Sequence, residues 1–171
     1  QIKVPDLSLA AVWDGPAVDT DSTAWRDNPA VAQLVAAVAP RRVPVETANT
    51  LIADFAKQAG AQKQPELLLV LSGLFNVLDQ ERGSVMAGLD RFGARQKELA
   101  AQIRGENQKL QSMQTDPDAD AKAVQALTKQ VQWDVQVFQD RQQALSYVCD
   151  VPGTIEQRLF TLARTIKTHL Q

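Results

Sequence analysis

The chain has 171 residues, 44% hydrophobic and 22% charged, with a net charge of −2. That length suits one ordinary domain with a real core, and the near-neutral balance gives no electrostatic case for nucleic acid. A single cysteine excludes an intrachain disulfide framework, and 5% aromatics beside abundant Ala and Gln favour extended helical packing over a β-sandwich.

Residues 1–28 read as irregular, punctuated by Pro5 and Gly15-Pro16, with turn chemistry at Asp19-Thr20-Asp21-Ser22-Thr23. Val12, Trp13 and Trp25 are apolar enough to pack on the body. Asp19, Asp21, Thr23 and Asp27 have the spacing of a calcium loop, but Ala24 stands where the sharp turn needs Gly and Ala30 where a bidentate Glu is needed. A short helix is expected over Pro29–Ala39, with Asn28 as its N-cap and Pro29 at its first position. Pro40 and Pro44 bracket an extended Arg41-Arg42 connector. A second helix follows over Val45–Ala59, presenting Ala48, Leu51, Ile52, Phe55 and Ala59 on one face and stopping at Gly60.

Pro65 opens the longest helix, expected to run to about Gln114, roughly 75 Å at ~1.5 Å per residue. Leu67–Leu78 is apolar almost all round, yet too short to span a bilayer, so protein must surround it. Gly73, Gly83, Gly88 and Gly93 on this helix imply either close helix–helix approach or a break near Gly83-Ser84. From Val85 the apolar residues step by three, four or seven through Leu89, Phe92, Leu99, Ile103, Leu110 and Met113. After Thr115-Asp116-Pro117-Asp118 the steps resume at Val124, Val131, Val135, Phe138, Leu145 and Cys149.

Facing residues in an antiparallel pair have numbers with a constant sum. One sum pairs Leu110 with Val124, Ile103 with Val131, Leu99 with Val135, Leu89 with Leu145 and Val85 with Cys149, each an a position against a d position. The same register sets Gln96 against Phe138 and Phe92 against Gln142, mixed layers that weaken the seam and pin its register. At the tip Asp116 is expected to cap the returning helix, with Pro117 at its first position and Asp118 and Asp120 near its positive end. Val151-Pro152-Gly153-Thr154 reads as a turn. A last helix carries Ile155, Leu159, Leu162, Ile166 and Leu170 on one stripe, which folding back would bring Ile166 and Leu170 near Val137 and Trp133.

The fold class expected is therefore all-α: a helical bundle head, a long antiparallel coiled-coil hairpin, and a C-terminal helix packed along it. As one domain over 1–171 it divides into the irregular segment 1–28, head helices 29–84, a hairpin 85–149 and the C-terminal helix 152–170.

Chemistry-bearing motifs are scarce. His169 is the one histidine and stands in the last turn, no Glu-x-x-His occurs, and phosphate-cradling or nucleophile-elbow loops are missing. Cys149 falls on the seam opposite Val85 and is expected to be buried as a small hydrophobe. No catalytic residue, metal or cofactor is nominated.

Trp133 sits at an outward heptad position with Val137 one turn on, either a binding anchor or a residue covered by the C-terminal helix. About a dozen glutamines between Gln96 and Gln143 form a polar face, from which Gln108, Gln111 and Gln125 could meet a partner near the tip. These observations lead to the expectation of a non-catalytic protein–protein interaction or assembly protein of the bacterial cell envelope. Its hairpin would serve as spacer or docking arm, toward a protein partner or a second copy of the chain. The alternative is a sensor or carrier holding a small apolar ligand among Leu51, Phe55, Leu68, Leu71 and Phe75. Gln1 stands where a processed secretory protein or an excised fragment would begin, which suggests a periplasmic or otherwise extracytoplasmic location.

Overall fold

The computed structural model describes residues 7–171, so Pro5 lies outside the described residues. Five α-helices carry the fold: α1 (Pro29–Val38), α2 (Val45–Ala59), α3 (Lys63–Thr115), α4 (Ala121–Cys149) and α5 (Val151–Leu170). Single 3-10 turns occur at Leu9–Ala11, Ala24–Arg26 and Gly60–Gln62, and there is no strand among the described residues. None of these helices is long and apolar enough to cross a membrane.

Local chemistry sets most of the helix ends. Asn28 Oδ1 accepts from the N–H groups of Ala30 and Val31 at 3.1 and 3.2 Å, satisfying two donors that the first turn of α1 leaves free. α2 stops where Gly60 takes φ = +54°, a conformation costly for any side chain with a Cβ. Between α3 and α4 the cap is Asp120, four residues later than the sequence reading put it: its Oδ1 accepts from Lys122 N at 3.0 Å. Asp116 instead folds the connector, accepting from Asp118 N at 3.0 Å through its side chain and from Ala119 N at 3.2 Å through its backbone. Val151–Thr154 is no turn either. Those residues form the first turn of α5, and the junction with α4 is Asp150 alone, since Pro152 is tolerated where a helix needs no N–H donor.

The chain divides into two compact units. Among the described residues, the first comprises those up to Ser84 together with Pro152–Gln171; the second is Val85–Val151. Helix α3 runs unbroken through Gly83 and Ser84 and contributes to both.

In the first unit, α3 supplies Leu67, Val70, Leu71, Leu74 and Leu78, all without solvent exposure. Around them are buried Val31, Val35 and Val38 of α1, Ala48 and Ile52 of α2, and Trp25. Helix α5 adds Ile155, Leu159, Leu162 and Ile166, likewise fully buried. Each such Leu or Ile stabilises the fold by about 1.5–3 kcal/mol relative to an exposed one. The N-terminal segment docks by Trp25 Nε1 donating to Asn76 Oδ1 at 3.0 Å and Ser72 Oγ donating to the Asp19 carbonyl at 2.7 Å. The acidic run read against a calcium loop is thus a docked turn, in which Asp19 Oδ1 also accepts from Asp21 N.

Two sequence expectations fail here. Ile155, Leu159, Leu162 and Ile166 of the α5 stripe are taken up in the first-unit core, and Trp133, expected beneath that stripe, is 67% exposed. An all-round apolar segment such as Leu67–Leu78 needs more covering surface than α2 and the N-terminal residues provide, and α5 supplies it. On α2 the buried line is Ala48, Ile52 and Ala56, with Leu51 37% exposed and Phe55 half-buried. Ala48, Ile52 and Ala56 follow one another at steps of four, and Leu51 lies off that line.

Polar groups fasten α5 to the other elements of its unit. Arg158 is buried and donates from Nε and Nη2 to the Val38 carbonyl at 3.1 and 2.6 Å, and from Nη1 to the Val43 carbonyl at 2.9 Å. A cation there satisfies carbonyls that the end of α1 leaves open and complements its dipole. Burial lowers the guanidinium's proton affinity, with Glu81 opposing the shift, but an arginine remains charged at neutral pH. Arg82 meets Glu156 at 2.7 Å, and Thr165 Oγ1 donates to Asn49 Oδ1 at 2.7 Å.

Gly73 is the one helical glycine that close approach explains. A Cβ there would stand 2.8 Å from Val35 Cγ2 and 2.9 Å from the Trp25 ring, both buried, whereas a Cβ on Gly83 meets nothing within 4 Å. Gly73→Ala is therefore expected to destabilise the protein by about 1–3 kcal/mol through overpacking. Gly83→Ala should stabilise it by up to about 1 kcal/mol through helix propensity. Urea denaturation of the two variants measures the opposite signs.

Candidate interaction surface

The second unit contains the last part of α3 and all of α4, and within it only Val131 and Asp134 are buried. Two helices have too few neighbours to enclose their seam. Leu89, Phe92, Leu99, Ile103, Leu110, Val124, Val135, Phe138 and Leu145 are accordingly half-buried. Three large hydrophobic side chains on α4 are openly exposed: Trp133 at 67%, Tyr147 at 75% and Val148 at 42%. Val85, Gly88, Leu89 and Phe92 of α3 form an apolar groove of about 250 Å³ with Ala144, Leu145 and Val148 of α4.

Cys149, expected to be buried opposite Val85, is exposed. Val148 occupies the groove with Val85 instead, because the chain steps from Leu145 by three residues rather than four.

Amides and carboxylates join the two helices elsewhere. Gln96 Nε2 donates to the Phe138 backbone carbonyl at 3.2 Å. Asp134 Oδ2 accepts from Gln102 Nε2 on α3 at 3.0 Å and from Gln130 Nε2 on its own helix at 2.9 Å. Gln102 also donates to Glu106 Oε1 at 2.9 Å. The bond from Gln102 favours one pairing of the helices, because a slip would leave the buried Asp134 carboxylate with Gln130 of its own helix as its remaining donor. These bonds do not satisfy everything: Gln96 Oε1 and Glu106 Oε2 are buried with no partner.

Of the residues nominated for partner binding, Trp133, Gln108, Gln111 and Gln125 are exposed and Val137 is half-buried. Trp133 and Val137 share α4, whereas Gln108 and Gln111 end α3. The five nominated for an apolar ligand scatter in exposure. Leu71 is wholly enclosed by core, Leu51 is exposed, and Phe55, Leu68 and Phe75 are half-buried. Leu68 lines a surface groove with Ala17, Val18 and Pro65. His169 is half-buried in the last turn of α5. Sequence reasoning missed Tyr147 and Val148. The available signal was the apolar cluster Leu145, Tyr147, Val148 and Cys149, which is too wide for a two-residue heptad seam.

Comparison of the chain with protein-family models, with curated proteins and with solved structures gives no match in any of the three.

The orphaned Gln96 carbonyl makes a direct prediction. Gln96→Leu removes a buried acceptor without a partner and adds apolar contact, so it should raise stability by about 1 kcal/mol. A higher urea midpoint in circular dichroism is the expected result.

Proposed function

We propose that the second unit is an antiparallel coiled-coil hairpin and that the chain is a non-catalytic interaction or assembly protein. The hairpin serves as its docking arm for a protein partner. The α3–α4 hydrogen bonds support the antiparallel reading: the partner of Gln96 is Phe138, and that of Gln102 is the earlier residue Asp134. A five-residue connector, 116–120, suits antiparallel neighbours.

The observation that carries the functional reading is the distribution of exposed apolar surface. Trp133, Tyr147 and Val148 stand on one helix of a unit in which only two residues are buried. Exposed aromatic side chains are the usual energetic anchors of protein interfaces, and exposing them costs solubility unless a partner covers them. The glutamine-rich tip, at the other end of α4 from Tyr147 and Val148, offers neutral hydrogen bonding.

The test is affinity capture from the native host with the full chain as bait. A Trp133→Ser, Tyr147→Ser, Val148→Ser variant should lose any specifically captured protein, while its helix content by circular dichroism stays unchanged. If capture survives both this variant and replacement of the tip from Gln108 to Gln125, the docking-arm reading fails.

A further inference from the structure

The first unit carries an open groove of about 460 Å³ between the N-terminal segment and the outer face of α5, lined by Val12, Trp13, Phe160, Ala163, Arg164 and Lys167 among others. None of these residues belongs to the arm or to the five nominated for an apolar ligand. Phe160 is 42% exposed, whereas Ile155, Leu159, Leu162 and Ile166 of the same helix are buried. Arg164, one turn on, holds its guanidinium 5.7 Å from the Phe160 ring centroid. The two cations in the groove differ. Lys167 Nζ is neutralised by Asp14 Oδ1 at 2.6 Å, a contact that lowers the Asp14 carboxyl below its ordinary range. Arg164 makes no ion pair among the described residues, and stacking over a ring leaves the edge of its guanidinium free to donate.

Arg164 also lines a second, hydroxyl-bearing groove with Asn49, Thr161, Thr165 and Thr168. It therefore stands where an apolar surface gives way to a polar one.

We propose that this groove binds a small anionic amphiphile, an alkyl or aryl body ending in a phosphate or carboxylate. The body lies against Phe160, Trp13, Val12 and Ala163, and the anionic head takes the free edge of Arg164. Charge complementarity selects the head: among the described residues Arg164 is the groove cation without a side-chain ion pair, and the groove's side-chain carboxylate, Asp14, is occupied by Lys167. The volume falls in the range of small-molecule sites, about 300–1,000 Å³. A planar fork suits phosphate or carboxylate recognition better than a point charge does.

The test uses the full chain with dodecyl phosphate and decanoate below their micelle concentrations, and dodecyltrimethylammonium as a cation of matched chain. Binding is read by calorimetry and by the indole N–H resonances of Trp13, Trp25 and Trp133. The proposal expects saturable binding of at least one anion, with the Trp13 resonance shifting and the Trp133 resonance still. Arg164→Gln should weaken binding at least tenfold, about 1.4 kcal/mol, and Phe160→Ser should weaken it comparably. Both side chains are exposed, and unchanged helix content would confirm folded variants. Binding of the cationic amphiphile as tight as that of the anions would overturn the proposal, as would unchanged affinity in Arg164→Gln or no binding by either anion. Loss of partner capture by the arm variant bears on the other unit and leaves this result independent.

Discussion

Two helices side by side cannot surround a residue, and that geometric limit governs the second unit. In the first unit, three helices (α1, α2 and α5) and a docked N-terminal segment pack around the Leu67–Leu78 stretch of α3, and Leu67, Val70, Leu71, Leu74 and Leu78 are fully buried there. Beyond Ser84 the same helix has only α4 beside it within its unit. Its apolar residues then shorten to a stripe, and even those are only half covered. The change from all-round to striped hydrophobicity in the sequence and the change from full to partial burial are one physical fact.

Polar contacts do in the second unit what packing does in the first. Where core volume is small, register must come from groups that are costly to mispair, and the Gln102–Asp134–Gln130 cluster is such a device. Gln96 belongs to the same strategy, though with one acceptor left unmatched. In the first unit Arg158 has a comparable role. Its guanidinium ties α5 to the end of α1 and to the connector at Val43, fixing an element distant in sequence.

Much of this was legible from the residues because the signals were local. Asn28, Pro29 and Gly60 mark helix ends by hydrogen bonding and backbone sterics, and those ends lie where expected. Signals depending on competition between distant surfaces were not legible. The α5 stripe had two candidate places to bury itself, and periodicity alone could not show that Leu67–Leu78 would claim it. The same limit hid the fates of Trp133 and Cys149. For Cys149 the outcome hung on whether the last turn of α4 steps by three residues or four, a choice of under one helical turn. The cap at Asp120 was missed because Asp116, Asp118 and Asp120 are all competent caps. The candidate surface was half visible: Trp133 stood out by its heptad position, whereas Tyr147 and Val148 fall between the heptad steps at Leu145 and Cys149.

The central proposal is that α3 and α4 lie side by side in opposite directions in one register. It is tested most directly by cross-linking cysteine pairs with a short bismaleimide in a Cys149→Ser background. Ile103→Cys paired with Val131→Cys, and Leu89→Cys paired with Leu145→Cys, should cross-link within single chains rapidly and nearly completely. The exchanged pair, Leu89→Cys with Val131→Cys, should not. Rapid cross-linking of the exchanged pair, or none in the matched pairs, would contradict the account.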